Sequence, residues 1–194
     1  MNPCRRSITR LTLLVLALAL LPACHFKVGL GDPAKAKADK SLVGHWVSQE
    51  GGSVHVITAA LRKDGKTYDV EYFYSNGTLE APTKSGTIYF KGQAWLTTLD
   101  ETRFVTMKVT KLNVSNNGDA PAKPFTIAKV EASKDKFTLT VLKDSFDAFQ
   151  RAATPAEMET AVREHLKNAE AYQGTQTFQR SSAKATAKVR ANFK

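Results

Sequence analysis

Residues 66–78 read KTYDVEYFYSNGT. Tyr68, Val70, Tyr72 and Tyr74 alternate with Asp69, Glu71 and Phe73, and the run halts at Asn76-Gly77. Period-two alternation marks a strand with one buried face, and Asn-Gly is a preferred hairpin turn because both residues accept positive φ. Two other segments repeat the pattern. RFVTMKVTK (103–111) alternates Val105, Met107 and Val109 with Thr106, Lys108 and Thr110, and KFTLTVLK (136–143) alternates Phe137, Leu139 and Val141 with Thr138, Thr140 and Leu142. Turn signals fall at Lys63-Asp64-Gly65, Ser85-Gly86, Lys91-Gly92, Asn116-Asn117-Gly118 and Ser133-Lys134-Asp135. Eight or nine short strands joined by tight turns imply an antiparallel meander. So many strands with one apolar face close into a barrel or fold into a sandwich, since open edges invite aggregation.

Beyond Leu142 the period changes. DSFDAFQRA (144–152) fits a short helix with Phe146 and Phe149 inward. In TPAEMETAVREHLKNAEAY (154–172), Thr154, Pro155 and Glu157 form the N-cap, N1 and N3 of a capping box. Met158, Ala161, Val162, His165, Leu166 and Ala169 then share one helical stripe. A closing strand, TQTFQRS (175–181), follows Gly174. The expected order is strands, helix, final strand.

At the start, MNPCRRSITR carries Arg5, Arg6 and Arg10 and no acid, and an apolar run follows from Leu11 to Leu21. A positive segment before about 7–15 apolar residues is a secretory signal, too short to span a bilayer as a helix. Leu21 would occupy position −3 of an ordinary signal-peptidase site, where a small residue is needed. Leu21-Pro22-Ala23-Cys24 instead resembles the lipobox of bacterial lipoproteins. The resemblance implies cleavage before Cys24, diacylglyceryl transfer to its sulfur and acylation (palmitate-type chains) of the new amino terminus. His25 is not the aspartate that retains such proteins in the inner membrane. The implied location is the periplasmic face of an outer membrane, with the outer leaflet of the inner membrane as the alternative. Cys4 leaves with the leader and Cys24 is consumed by lipid, so no disulfide or thiol nucleophile is expected.

Gly44-His45-Trp46 at the head of the first strand, with Arg180 on the last, resembles the lipocalin-like barrels. In that superfamily a Gly-x-Trp lies at the closed end and an arginine from a late strand packs on the indole. The resemblance implies barrel closure by Gly44, Trp46 and Arg180 through a cation–π contact. The family's Thr-Asp-Tyr motif is absent, and TLDETRF (98–104) is the nearest text. The fold class is then mainly β: an antiparallel up-and-down barrel of eight or nine strands with a helix before the last.

The chain of 194 residues carries 28 Lys+Arg against 18 Asp+Glu, a net +10. Three of those cations lie in the leader, which leaves 25 against 18, or +7. A basic surface favours polyanions. No helix-turn-helix, RNP or zinc-finger pattern appears, so the anions expected are lipid headgroups or envelope polymers rather than nucleic acid. The organisation expected is a signal peptide (1–23), a lipid-anchored flexible tether (24–40), the barrel (41–182) and a basic tail (183–194). That tail, with Lys184, Lys188, Arg190 and Lys194 and no acid, reads as a solvated segment or, alternatively, as an electrostatic contact with an anionic membrane or polymer in which Phe193 is a hydrophobic foot.

No catalytic constellation emerges. His45 and His55 on the first two strands lack a third metal ligand, and Glu164-His165 has no second histidine to make HExxH. No metal, cofactor or catalytic residue is assigned. The aromatic supply of the central strands, with Tyr68, Tyr72, Tyr74 and Trp95 foremost, fits either a packed core or a cavity for a hydrophobic small molecule. Two functions follow: a non-enzymatic module binding a hydrophobic or amphipathic ligand or an envelope partner, or an accessory lipoprotein without a pocket that docks through its basic tail.

Overall fold

Each strand pairs with the next in sequence. The computed structural model describes residues 26–84, 87–114 and 124–193. Its strands are β1 (Gly44–Glu50), β2 (Ser53–Leu61), β3 (Tyr68–Asn76), β4 (Ile88–Leu99), β5 (Thr102–Val114), β6 (Phe125–Ala132), β7 (Lys136–Leu142) and β8 (Tyr172–Ser181). They run antiparallel in chain order, and β1 returns to β8 to close an eight-stranded barrel. This is the architecture of the lipocalin-like barrels, with helices before the last strand. The closing seam is short, pairing His45 with Ser181, Trp46 with Arg180 and Val47 with Gln179.

Between β7 and β8 lie α1 (Asp147–Arg151) and α2 (Pro155–Glu164). Thr154 caps α2 by accepting from Glu157 N–H at 3.2 Å, while the Glu157 carboxylate accepts from Ala153 N–H, one residue before the cap, at 2.7 Å. Met158, Ala161 and Val162 form its buried face. Lys91-Gly92, expected as a turn, lies inside β4. Lys91 pairs with Lys111 and Gly92 with Val109, so Thr110 is an extra residue and β5 carries a bulge there. The last strand begins before Gly174 and keeps that glycine inside it at positive φ. The turns at Ser85-Gly86 and Asn116-Asn117-Gly118, the leader and Cys24 lie outside the described residues.

The expected flexible tether is corrected by the packing. Phe26 pairs with Phe125 of β6 as an isolated bridge, and both Phe26 and Leu30 are buried. With Phe104, Ile127, Phe149 and Met158 they form a cluster on the barrel's outer wall, roofed by α1 and α2. The Leu30 carbonyl accepts from Trp95 Nε1 at 2.8 Å, Thr106 Oγ1 at 3.0 Å and Thr97 Oγ1 at 3.2 Å. The segment is a strap because its few apolar residues meet a complementary apolar wall, which composition cannot show.

The expected solvated tail is corrected likewise. Residues Ala183–Ala191 form α3, capped by Ser182, whose hydroxyl accepts from Ala185 N–H. Val189 is fully buried against Val47, Val54, Val56 and Phe73. Phe193, expected as a membrane foot, packs on Phe73 and Tyr89 with ring centres 5.2 and 6.1 Å apart. Burying a side chain such as Val189 stabilises by about 1.5–3 kcal/mol. These outward positions of β1–β3 need a cover, and the tail supplies it.

Candidate functional site

Closure of the meander turns alternate side chains of every strand inward. Trp46, Ile57, Tyr72, Phe90, Leu139 and Phe178 are among those that surround an apolar cavity of about 150 Å³. An apolar cavity of about this size holds a benzene-sized molecule in other folds. No lining residue carries a charge. The walls are stiffened by ring contacts: Phe137 stacks on Phe178 at 5.0 Å, Tyr72 on Phe90 at 4.6 Å, and Trp46 meets Phe137 edge-on at 4.8 Å.

One end of the cavity is closed by the chain entering β1. The 3₁₀ turn Lys40–Leu42 lies across it, with Leu42 in the lining and its carbonyl accepting from Trp46 Nε1 at 2.9 Å. The Tyr68 hydroxyl meets the Asp39 backbone here, donating to its carbonyl at 3.0 Å. Arg103 Nη1 lies 2.7 Å from the Asp39 carboxylate. The Ser41 hydrogen bonds, with Arg103 beside them, hold that carboxyl below its ordinary pKa. The Arg180 guanidinium sits 4.2 Å from the centre of the Trp46 ring. It donates to the carbonyls of Ser41 at 2.5 Å, Lys134 at 2.9 Å and Val43 at 3.1 Å, tying the first strand to the last. Gly44 has φ +132°, and a Cβ there would stand 3.0 Å from Arg180 Nη1. The Gly-x-Trp pattern therefore makes room for the arginine that covers the indole.

Four polar side chains face the cavity, in two pairs of different character. The hydroxyls of Tyr68 and Tyr72 are partnered, Tyr72 by His55 Nδ1 at 2.6 Å. His55 is 3 % exposed, and burial pushes its pKa down to about 4, so the imidazole is neutral at pH 7. Burial, with the nearby Tyr74, pushes the Tyr72 phenol up. Gln176 and Thr126 differ: Gln176 Nε2 and Thr126 Oγ1 are buried and have no hydrogen-bond partner.

Of the aromatic residues proposed from sequence, Tyr68 and Tyr72 line the cavity. Tyr74 does not: its hydroxyl donates to Asn76 Oδ1 at 2.9 Å, and its ring meets His55 at 5.0 Å. Trp95 is on the other side of the wall, a correction to its assignment as a cavity residue. Ala94 points inward from β4, so Trp95 points outward under the strap, edge-on to Phe125 at 6.2 Å. His45 and His55 are not a metal pair, because His45 pairs with Thr58 and His55 with Ser48. The two lie ten positions apart with the Gly51-Gly52 turn between them, and that register places His45 outward beside Thr186 and His55 inward beside Tyr72. Among the described residues no three His, Cys, Asp or Glu side chains gather as metal ligands. The sequence reading missed Gln176, Thr126 and the inward position of His55. Strand parity on β6 and β8 was the available signal for the first two.

Compared with protein-family models, with curated proteins and with solved structures, the chain matches none.

Proposed function

We propose that this is a lipid-anchored envelope protein whose barrel binds a small hydrophobic or amphipathic molecule without transforming it. The observation that carries the reading is the uncharged cavity of about 150 Å³ inside a barrel closed at one end by Trp46 and Arg180. Its volume suits a compact molecule rather than a long acyl chain, since drug-sized ligand sites run to about 300–1,000 Å³. The leader and the Leu21-Pro22-Ala23-Cys24 pattern support a location at a membrane, on the periplasmic face of an outer membrane. Phe26 is pinned to β6, and two extended residues reach at most about 7 Å. Acyl chains on Cys24 would therefore hold the barrel wall directly against the bilayer, a short route for a molecule leaving the membrane.

The accessory role that relied on a free basic tail has less support. Lys188 Nζ donates to the Glu80 carbonyl at 3.0 Å, and Arg190 lies 3.8 Å from Glu71. Mass spectrometry of the native protein, extracted from membranes, tests both halves of the proposal together. The expected result is a diacylglyceryl thioether on Cys24 and a co-purifying molecule of low mass. A Cys24→Ser chain that matures normally and washes free of the envelope would refute the location. Extraction under native conditions that never yields a bound molecule, with the cavity also indifferent to added hydrophobic probes, would refute the binding role.

A further inference from the structure

The two unpartnered polar atoms of the cavity bear on what it holds. Gln176 is 4 % exposed and lies one inward step along β8 from Phe178. Thr126 is the first inward residue of β6, and its inward neighbours on that strand are Ala128 and Val130. Leaving a buried amide N–H or hydroxyl without a partner is costly, and folded proteins rarely do so outside sites that something else completes. The same cavity satisfies its other polar groups internally, through Tyr72 with His55 and Tyr68 with Asp39. The two unpartnered side chains lie on strands separated by β7, and Thr126 stands four residues along β6 from Val130, the residue level with Gln176.

We infer that the ligand of this cavity is an uncharged, compact molecule with one oxygen, a ketone, aldehyde or alcohol, which accepts a hydrogen bond from Gln176 Nε2. The inference rests on the binding reading above and narrows it to a chemical class. A carboxylate is excluded by the walls, because a buried ion without a counter-charge is strongly disfavoured and no lining residue supplies one. A plain hydrocarbon would fill the volume and leave the Gln176 amide unpaired.

Cyclohexanone and its hydrocarbon isostere methylenecyclohexane test this with the full chain in lipid nanodiscs. Methyl NMR titrations followed at Met107, Val130 and Leu139, which line the cavity, report where each probe binds and how tightly. Gln176→Leu is expected to weaken cyclohexanone roughly threefold to tenfold, the worth of one neutral hydrogen bond, and to leave methylenecyclohexane within about twofold. Gln176→Met, closer in length and shape to the glutamine, should give the same pattern and guards against a Gln176→Leu chain that fails to fold. If both substitutions shift the two probes equally, or shift neither, water satisfies the Gln176 amide and the oxygen-bearing class is overturned while the cavity reading stands. If neither probe moves the lining methyls of the unaltered chain, the binding reading itself falls and the inference falls with it.

Discussion

Leu30→Ala separates a strap from a tether. Leu30 is fully buried in the cluster of Phe26, Phe104, Phe149 and Met158 on the outer wall. Truncating a buried leucine costs about 2–5 kcal/mol, depending on how far the surroundings collapse into the space. The strap is a single extended segment at the surface and can settle inward, so the expected loss is in the lower part of that range, about 2–3 kcal/mol. For a domain of this size each kcal/mol lowers Tm by about 2–4 °C, which gives a drop of about 5–10 °C. Urea unfolding of the full chain, followed by tryptophan emission, is the assay. One of the two tryptophans, Trp95, donates to the Leu30 carbonyl, so its emission should also shift before the global transition as the strap lifts. Lys37→Ala, an exposed position on the same segment, is the control and should stay within about 0.5 kcal/mol. A Leu30→Ala chain as stable as that control would mean that residues 26–43 are a tether after all, and the short-anchor geometry would go with it.

Three further outcomes are expected. Arg180→Lys keeps the charge but loses the planar fork that reaches three carbonyls over Trp46; because the site is exposed the cost is only about 1–2 kcal/mol, and amide exchange at Trp46 and Val47 should quicken as the β1–β8 seam opens. Stability should fall with acidification between pH 6.5 and about 4, because His55 binds its proton in the unfolded chain before it does in the folded one. The contribution is present above pH 6.5, is lost as pH falls toward 4, and amounts to roughly 3 kcal/mol at most; His55→Phe should flatten that part of a urea-midpoint-against-pH profile, and an unchanged slope would show that other groups cause it. Val189→Ala should cost about 2 kcal/mol in thermal or urea unfolding, whereas a solvated tail would register nothing.

Alternation and turn chemistry are local properties, so the strands, their antiparallel order and the helix before the last strand were legible in segments such as KTYDVEYFYSNGT and TPAEMETAVREHLK. The closure by Gly44, Trp46 and Arg180 was legible only through the resemblance to lipocalin-like barrels, in which a Gly-x-Trp on the first strand meets an arginine from a late one. What no local pattern contains is the partner of a short apolar residue in a polar stretch. Gly29-Leu30-Gly31 reads as linker, but Gly31 at φ +73° lies so near Thr97 that a Cβ would stand 2.1 Å from its hydroxyl oxygen, so the glycine serves contact rather than slack. Phe193 reads as a loose foot for the same reason. The side of the wall taken by Trp95, the inward turn of His55 and the isolation of Gln176 depend on parity and on closure. A one-residue change in register reverses every side chain of a strand, and only the closed barrel, by burying both faces in different places, settles which face belongs to the cavity.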